Sequence, residues 1–533
     1  MVATNTLLTR KQMRNTVYFV LIASSIGVMI GRIASITAST GETAMLSAND
    51  RSRWCTIRAL GDEGTYEIDN VVQLRHPETK RRHWYTIDMV RHQGKDDRQH
   101  YYSSKPALFP TLLAWEYWAL KTYVGVDLDQ DTFYVQRLMI GVTNVIPLAI
   151  YFILLVRLVE RLGCSDWGRM FAVAAATWGT FLTTFAVTLN NHLPAAISVL
   201  IAIHAALPIW QDGARSLPRF IVAGVFSAFA AANELPALSF LIVLTGAMLI
   251  RSPLRALLGF FPGAALVVAG FFYTNHLAHN DWWPPYAHRQ DGSILTQVEK
   301  NMSKANGGLA ILNKIRPDLA DHNETLSSNA TLKAEHEAGR WVIDDPETGK
   351  RFAVVESGSQ LEIRRWDNWY RYDGSYWTSG KKVGIDQGES LRADYAFHVL
   401  IGHHGILSLT PLWGFSLIGM MILLVARERK LRGFAAMVTT LTVVCLVFYI
   451  FFRDIEDRNY GGVSCAFRWM FWFTPLWLIC LLPVADWLAS NRVLRGVGLV
   501  VLCLSSASAM YAAGNPWSHP WLYDYLRYLQ LLS

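Results

Sequence analysis

Apolar runs recur along the chain at the length a helix needs to cross a bilayer core, roughly 18 residues or more. About eleven are legible, near 16–38, 134–157, 170–189, 193–210, 219–233, 235–250, 255–275, 405–426, 433–452, 469–485 and 496–513. The pair 219–233 and 235–250 is short and is interrupted by Asn233-Glu234-Leu235-Pro236, which reads as a kinked or re-entrant element. The pattern predicts an all-α polytopic membrane protein.

Two long polar stretches, 39–133 and 276–404, break this rhythm. In the first, a short helix is expected over Asp50–Leu60, then strands over Thr65–Gln73 and Arg82–Val90 around the turn Pro77-Glu78-Thr79-Lys80. Ala107–Tyr123 is apolar and aromatic but carries Glu116 and Lys121, which suits a helix lying along a membrane interface. In the second, Met302–Ala338 reads as a polar helix, followed by short strands at Trp341–Asp345, Arg351–Glu356 and Leu361–Trp366. A small α+β insertion outside the membrane is the simplest account. The division expected is a transmembrane module over 1–275, the insertion over 276–404, and closing helices with a tail over 405–533.

Charge orients these segments. Alternate short loops carry Arg10, Lys11 and Arg14; Arg157, Arg161 and Arg169; Arg215 and Arg219; Arg251 and Arg255; Arg427, Arg429, Lys430 and Arg432; and Arg492 and Arg495. The opposing short turns at Asn190–His192 and Asn233–Glu234 carry no Lys or Arg. The excess of cations on cytoplasmic loops then puts the N-terminus inside, and both polar stretches and the C-terminal tail outside. The basic lead and apolar run Val17–Gly31 have the form of a signal peptide, but a retained anchor is the expectation.

Composition agrees. Of 533 residues, 52% are hydrophobic and 17% charged, with a mean hydropathy of +0.20. A soluble protein would carry about a quarter charged residues. The formal charge of +7 is accounted for by the cytoplasmic arginines, so it implies no nucleic-acid partner. Of six cysteines only Cys55 and Cys465 fall on the outer side, which allows one disulfide between them. No C-x-x-C pair occurs. His403-His404 and the group His276, His279 and His288 lack a third ligand at fixed spacing, so no metal site is expected from them. Sequons stand at Asn301, Asn323 and Asn329.

Candidate chemistry gathers on the outer side. The stretch Asn49-Asp50-Arg51-Ser52-Arg53-Trp54 offers a carboxylate able to take a proton from a hydroxyl, or equally a helix cap. Lys105, in Ser104-Lys105-Pro106-Ala107-Leu108, offers a cation able to hold a lipid-linked phosphate. Glu234 sits at the break between two short apolar segments, where it either bonds a substrate or satisfies freed backbone groups. Tyr460-Gly461-Gly462 precedes Arg468 at the start of a late span; the glycines permit close approach and the arginine can fork onto a phosphate. The aromatic run Trp366-Asp367-Asn368-Trp369-Tyr370-Arg371-Tyr372 reads either as a sugar-stacking surface or as the core of the insertion.

The run Asp50-Arg51-Ser52-Arg53-Trp54, then Gly64-Thr65-Tyr66, then Lys105-Pro106-Ala107-Leu108 resembles the first outer loop of GT-C class glycosyltransferases. It is most similar to the lipid A aminoarabinose transferases and the protein O-mannosyltransferases. Their pattern is Asp-Glu-x-Arg-Tyr, a Gly-Asp-Trp-like step, then Lys-Pro-Pro-Leu. The segment Gly461-Gly462 to Arg468-Trp469 is similar to their late Gly-Gly…Arg-Tyr segment. The resemblance implies a GT-C-like fold and a polyprenyl-phosphate sugar as donor, with sugar passing to a glycan, lipid or protein acceptor outside the membrane. It implies Asp50 at the reaction centre and Lys105 and Arg468 on the donor phosphate; Arg53, His192, Glu234 and Tyr460 are further candidates for substrate contact. A single, inverting displacement at the anomeric carbon in a bacterial inner membrane is the corresponding expectation. Two departures bear on mechanism. Arg51 stands where the family has a second acid, which weakens a paired-carboxylate metal site while leaving a divalent cation open. Asn190-Asn191-His192 stands where relatives often have another Asp, so either Asp50 works alone or His192 takes that place. The rival classes are a secondary transporter or flippase of an anionic or lipid-linked substrate, and a non-catalytic assembly protein.

Overall fold

The computed structural model describes residues 9–39, 41, 43–300, 307–335, 337–378, 380–426 and 429–532. The expectations placed on Arg427 and on the Asn301 sequon lie outside the described residues.

Seven described helices are long and apolar enough to cross a membrane: Arg10–Ser35, Thr132–Leu162, His192–Asp212, Pro253–His279, Leu431–Phe451, Arg468–Leu488 and Arg492–Tyr511. Three shorter apolar helices join them, Leu217–Asn233, Leu235–Arg251 and Leu412–Val425. The remaining expected span, near 170–189, is split into Asp166–Trp178 and the single turn Leu182–Phe185, with Gly179, a poor helix former, closing the first piece. The span expected over 405–426 is likewise cut at Thr410-Pro411, because proline has no N–H to continue the ladder. Rim side chains such as Phe19 and Val493 are exposed and apolar. Surface of this kind belongs in lipid, and the chain is an integral membrane protein.

The chain divides into two compact units, one of residues 1–50, 125–269 and 383–533, the other of residues 51–124 and 270–382. The first holds most of the apolar helices. Its centre is made by His192–Asp212 and Arg468–Leu488, whose apolar windows are 78% and 83% buried, against 22% for Arg10–Ser35 and Arg492–Tyr511. Small residues let the helices close up. A Cβ on Gly419 of Leu412–Val425 would stand 1.8 Å from the carbonyl oxygen of Cys480, so only glycine fits there.

The second unit joins the two polar stretches. Strands β1 (Met89–Gln93) and β2 (Gln99–Ser103) form an antiparallel hairpin. Strands β3 (Ile294–Glu299), β4 (Thr331–Ala334), β5 (Arg340–Asp344), β6 (Arg351–Ser357) and β7 (Gln360–Arg365) form an antiparallel sheet in the order β3-β7-β6-β5-β4. The alternate residues Phe352 and Val354 of β6, and Leu361 and Ile363 of β7, pack on Ile311, Ile315 and Leu319 of the helix Gly307–Asp321. The hairpin is stitched to the later stretch through Arg91 N to Trp369 O (2.9 Å), Gln93 Nε2 to Thr348 O (2.7 Å), Gln99 Nε2 to Gly349 O (2.7 Å) and Trp377 Nε1 to Ile87 O (2.8 Å).

Several local expectations are corrected. Thr65–Gln73 is not a strand; it ends in the short helix Asp69–Gln73, where Asp69 also accepts the backbone N–H of Tyr101. The strand expected over Arg82–Val90 begins only at Met89, since Asp88 O is already taken by the Ser52 hydroxyl and by Ser104 N. The helix expected over Met302–Ala338 is Gly307–Asp321 alone in the described residues. Left-handed Asn323 (φ 61°) follows it, and β4 comes next. Strand β3 had no counterpart in the sequence reading. Cys55 and Cys465 are both free, buried thiols. Trp369 is no open stacking platform: His92 (4.1 Å) and His288 (3.6 Å) press against its ring, and it is buried.

Candidate functional site

The two central helices of the first unit begin at the two most chemically loaded residues, His192 and Arg468. Helix starts carry N–H groups without intrahelical partners and a partial positive charge, so both ends favour an anion nearby. Glu234 closes Leu217–Asn233 just before Pro236 restarts the chain. The kink expected there turns its carboxylate toward Asn191, whose Nδ2 donates to it at 2.6 Å, and into an ion-pair contact with His192 Nδ1. Asn191 Nδ2 also donates to the carbonyl of Asn233. The freed backbone is therefore met by Asn191, and Glu234 is left for His192.

Arg468 completes this cluster. Its Nη1 stands 2.6 Å from His192 Nε2. Its Nε (2.9 Å) and Nη2 both donate to the carbonyl of Gly461. Gly461 has φ +95°, and a Cβ there would lie 2.7 Å from Arg468 Nε, so this turn requires glycine twice over. The tautomer follows. Arginine has no acceptor, so His192 Nε2 offers its lone pair to the guanidinium and carries its proton on Nδ1, toward Glu234. Tyr460, next to Gly461, is buried at φ +59°, donates to Glu389 at 2.9 Å and stacks on His404 at 4.6 Å. It supports the loop from behind.

Asp50 lies in the same unit, fully buried in the first turn of Ala48–Asp62. Its Oδ2 accepts from Leu46 N (2.9 Å) and the Thr188 hydroxyl (2.7 Å), and its Oδ1 from Ser47 N (2.9 Å) and the Ser47 hydroxyl (3.3 Å). A carboxylate has about four lone-pair sites. Asp50 is not the N-cap: the Ser47 hydroxyl accepts from Asn49 N and Asp50 N and caps the helix, and Asp50 reaches back from the first turn to Ser47 N and Leu46 N. Thr188 connects it outward, because Trp517 Nε1 donates to the Thr188 hydroxyl at 3.2 Å and the Arg468 guanidinium lies 4.9 Å over the Trp517 ring. Asp50, His192 and Glu234, all buried, are thus joined with the half-buried Arg468 in one network.

Lys105 and Arg53 belong to the second unit. Lys105 Nζ pairs with Asp88 Oδ2 at 2.9 Å, both side chains being mostly buried, and its backbone N–H is held by the Ser103 hydroxyl. Arg53 is buried. Thr188, Trp517, Asn191 and Asp88 were not on the sequence list of candidates. Asn191 stood beside one. Nothing local marks Thr188 or Trp517, whose significance arises only from where the helices put them.

Among the described residues no three His, Cys, Asp or Glu side chains are arranged to hold a metal ion. His403 and His404 pack on one another and on Tyr460. A small apolar pocket of about 20 Å³ lies against the segment bearing Arg468; Phe181, Ile406, Trp413, Phe467, Phe471 and Trp477 are among the residues that line it.

No family model matches the chain, and no curated protein matches it. Solved structures do. The apo oligosaccharyltransferase of Archaeoglobus fulgidus aligns over 98% of this chain at 12% identity and a TM-score of 0.41. The same protein, AglB, in complex with an inhibitory peptide and a dolichol-phosphate, aligns at 11% identity and 0.41. In both cases the chain spans 58% of the archaeal protein. The protein O-mannosyltransferase complex Pmt1-Pmt2 of S. cerevisiae, bound to the sugar donor, aligns over 99% of this chain and 93% of its own at 11% identity and 0.45. These solved structures are GT-C glycosyltransferases, the class whose motifs the sequence resembles.

Proposed function

We propose that this chain is a membrane glycosyltransferase that moves a sugar from a polyprenyl phosphate to an acceptor hydroxyl on the extracytoplasmic face of a bacterial inner membrane. The observation that carries the proposal is the meeting of Arg468, His192 and Glu234 at the starts of the two most buried helices. Charged groups inside a membrane protein are costly, and such clusters mark function more often than packing.

In the proposed reaction the acceptor oxygen attacks the anomeric carbon while the bond from that carbon to the phosphate oxygen breaks. The phosphate leaves with the electron pair, and one displacement inverts the configuration. A leaving phosphate gains negative charge, and a guanidinium anchored on the Gly461 carbonyl and flanked by helix starts meets it. Arg468 takes that role. The acceptor proton passes to His192 Nε2 once Arg468 Nη1 turns from that lone pair to the phosphate; Glu234 keeps His192 in the accepting tautomer and stabilises it once charged. Asp50, which accepts from Leu46 N, Ser47 and the Thr188 hydroxyl, orients rather than deprotonates. Lys105 retains its expected role on the donor phosphate from the motif resemblance.

Purified protein in lipid nanodiscs, given radiolabelled polyprenyl-phosphate sugar and a cell-envelope extract, is expected to move label onto extract molecules. The same protein in sealed vesicles reads the rival. Label that only changes leaflet means a transporter, and the transferase proposal then fails. A chelator arm reads any need for a divalent cation.

A further inference from the structure

Two residues outside the candidate list bridge the cation and the carboxylate of the site, and the chemistry of each fixes the direction of the bridge. An indole N–H can only donate, and a threonine hydroxyl has a single proton to give. Trp517 Nε1 donates to Thr188 Oγ1 at 3.2 Å, so the Thr188 proton is directed elsewhere, to Asp50 Oδ2 at 2.7 Å. The other side of the bridge is the Trp517 ring, with the Arg468 guanidinium 4.9 Å above its centre. Both residues are buried, and each is held in place by its backbone as well. The Thr188 carbonyl accepts from the side-chain amides of Asn144 (2.9 Å) and Asn190 (2.8 Å). Pro516, next to Trp517, accepts from Cys465 N at 3.0 Å, which ties the C-terminal segment to the loop that carries Arg468.

A hydroxyl built only to cap a helix would need no oriented donor behind it, and a tryptophan built only for packing would not need both its face and its edge engaged. We propose that Thr188 and Trp517 are positioning residues of the proposed transfer. Trp517 sets the guanidinium that receives the donor phosphate, and through its N–H and the Thr188 hydroxyl it sets the rotamer of Asp50. The role rests on the transferase reading. It separates the two halves of Trp517: the ring face serves donor binding, and the N–H serves the step that follows.

The test uses the full-length protein in nanodiscs with four variants, Thr188→Val, Thr188→Ser, Trp517→Phe and Trp517→Ala, and the double variant Thr188→Val/Trp517→Phe. Thr188→Val is expected to lower kcat about tenfold with the donor KM within about twofold of wild type, and Thr188→Ser to restore kcat; one lost hydrogen bond to a charged group is of this size. Trp517→Phe keeps a ring under Arg468 and should match Thr188→Val, with the double variant no slower than either alone, because the two break one chain. Trp517→Ala should in addition weaken binding of sugar-free polyprenyl phosphate about tenfold, read by native mass spectrometry without any turnover. Thermal melts check that each variant is folded, and Thr188→Ser and Trp517→Phe keep the test alive if the others are not. Full kcat in Thr188→Val, or losses that multiply in the double variant, would overturn the positioning role while wild-type activity leaves the transferase reading standing. A wild-type protein that transfers no label overturns that reading and this role with it.

Discussion

His192 is held between opposite charges, with Glu234 at its Nδ1 and the Arg468 guanidinium 2.6 Å from its Nε2. In a buried setting this fixes both the tautomer and the orientation of the ring, which is what a proton acceptor needs before its substrate arrives. It also means that neither neighbour can be changed without altering the imidazole.

Glu234→Gln keeps the shape of the side chain but removes the charge that stabilises a protonated His192. Transfer should fall ~100-fold or more, the usual scale for a general base that loses its support. His192→Gln should fall as far, and the double variant no further, since residues that act as a unit do not add. Single-turnover rates with preloaded donor are the measurement. Independent, multiplying losses would show that the two work apart.

Arg468→Lys is not a conservative change here. Lysine cannot hold Gly461 O with two nitrogens while reaching His192 with a third, so donor affinity should fall ~10-fold or more. Gly461→Ala should mimic it from the other side. The left-handed backbone costs the alanine ~1–2 kcal/mol, and the new methyl group pushes on Arg468 Nε. Equilibrium binding of the sugar-free polyprenyl phosphate reads both, and unchanged affinity in Arg468→Lys would remove Arg468 from the donor site.

Asp50→Asn separates two roles that the sequence left together. Each carboxylate oxygen accepts a backbone N–H, Leu46 on one and Ser47 on the other, so an amide NH₂ in either orientation faces a donor. The variant should lose ~1–3 kcal/mol of stability as well as transfer, the cost of leaving a buried donor without a partner. Denaturant or thermal melts in detergent supply the number. A variant that melts like wild type would mean that these bonds are dispensable.

Lys105→Ala should weaken donor binding and leave Asp88 without its 2.9 Å partner. Asp88→Asn is the control that disrupts the same ion pair while keeping the lysine. If both variants bind polyprenyl phosphate as wild type does, Lys105 is a structural partner of Asp88 and the role implied by the motif resemblance lapses.

The second unit carries a pH dependence of definite sign. His92 is stacked against Tyr102 and Trp369, and burial pushes its pKa down to about 4 from 6.5, against a smaller opposing effect of its hydrogen bond to the Gln93 carbonyl. A depressed histidine favours folding when neutral. Its contribution is therefore fully present above pH 6.5 and drains away as pH falls toward 4. Amide protection in β1 and β2, corrected for the slowing of intrinsic exchange with acid, should fall between pH 7 and 5, and His92→Phe should flatten that change. An equal loss of protection in the variant would assign it to other groups.

Much of the fold could be read from local pattern. Run length and the absence of charge marked the apolar helices, Asn233-Glu234-Leu235-Pro236 marked the kink, and the turns Pro346-Glu347-Thr348-Gly349 and Ser357-Gly358-Ser359 marked off β5, β6 and β7. Where the reading slipped, at Thr65–Gln73 and across the span near 170–189, the segments were short and tertiary contacts outweighed weak propensities. Arg468 was found because two glycines precede it, and Glu234 because an acid at a break in an apolar pattern stands out.

What pattern could not supply was company. Periodicity gives the face of a helix but not its neighbour, so nothing in the chain announced that Trp517 would reach Thr188, or that Thr188 would donate to Asp50. Such contacts join positions far apart in the chain and form only when whole helices pack, since helix packing sets the angle and depth at which each side chain arrives. The residue types on the outer side were therefore written in the primary structure, whereas the network that ties Asp50 through Thr188 and Trp517 to Arg468, and makes a histidine a poised acceptor, exists only in the packed bundle.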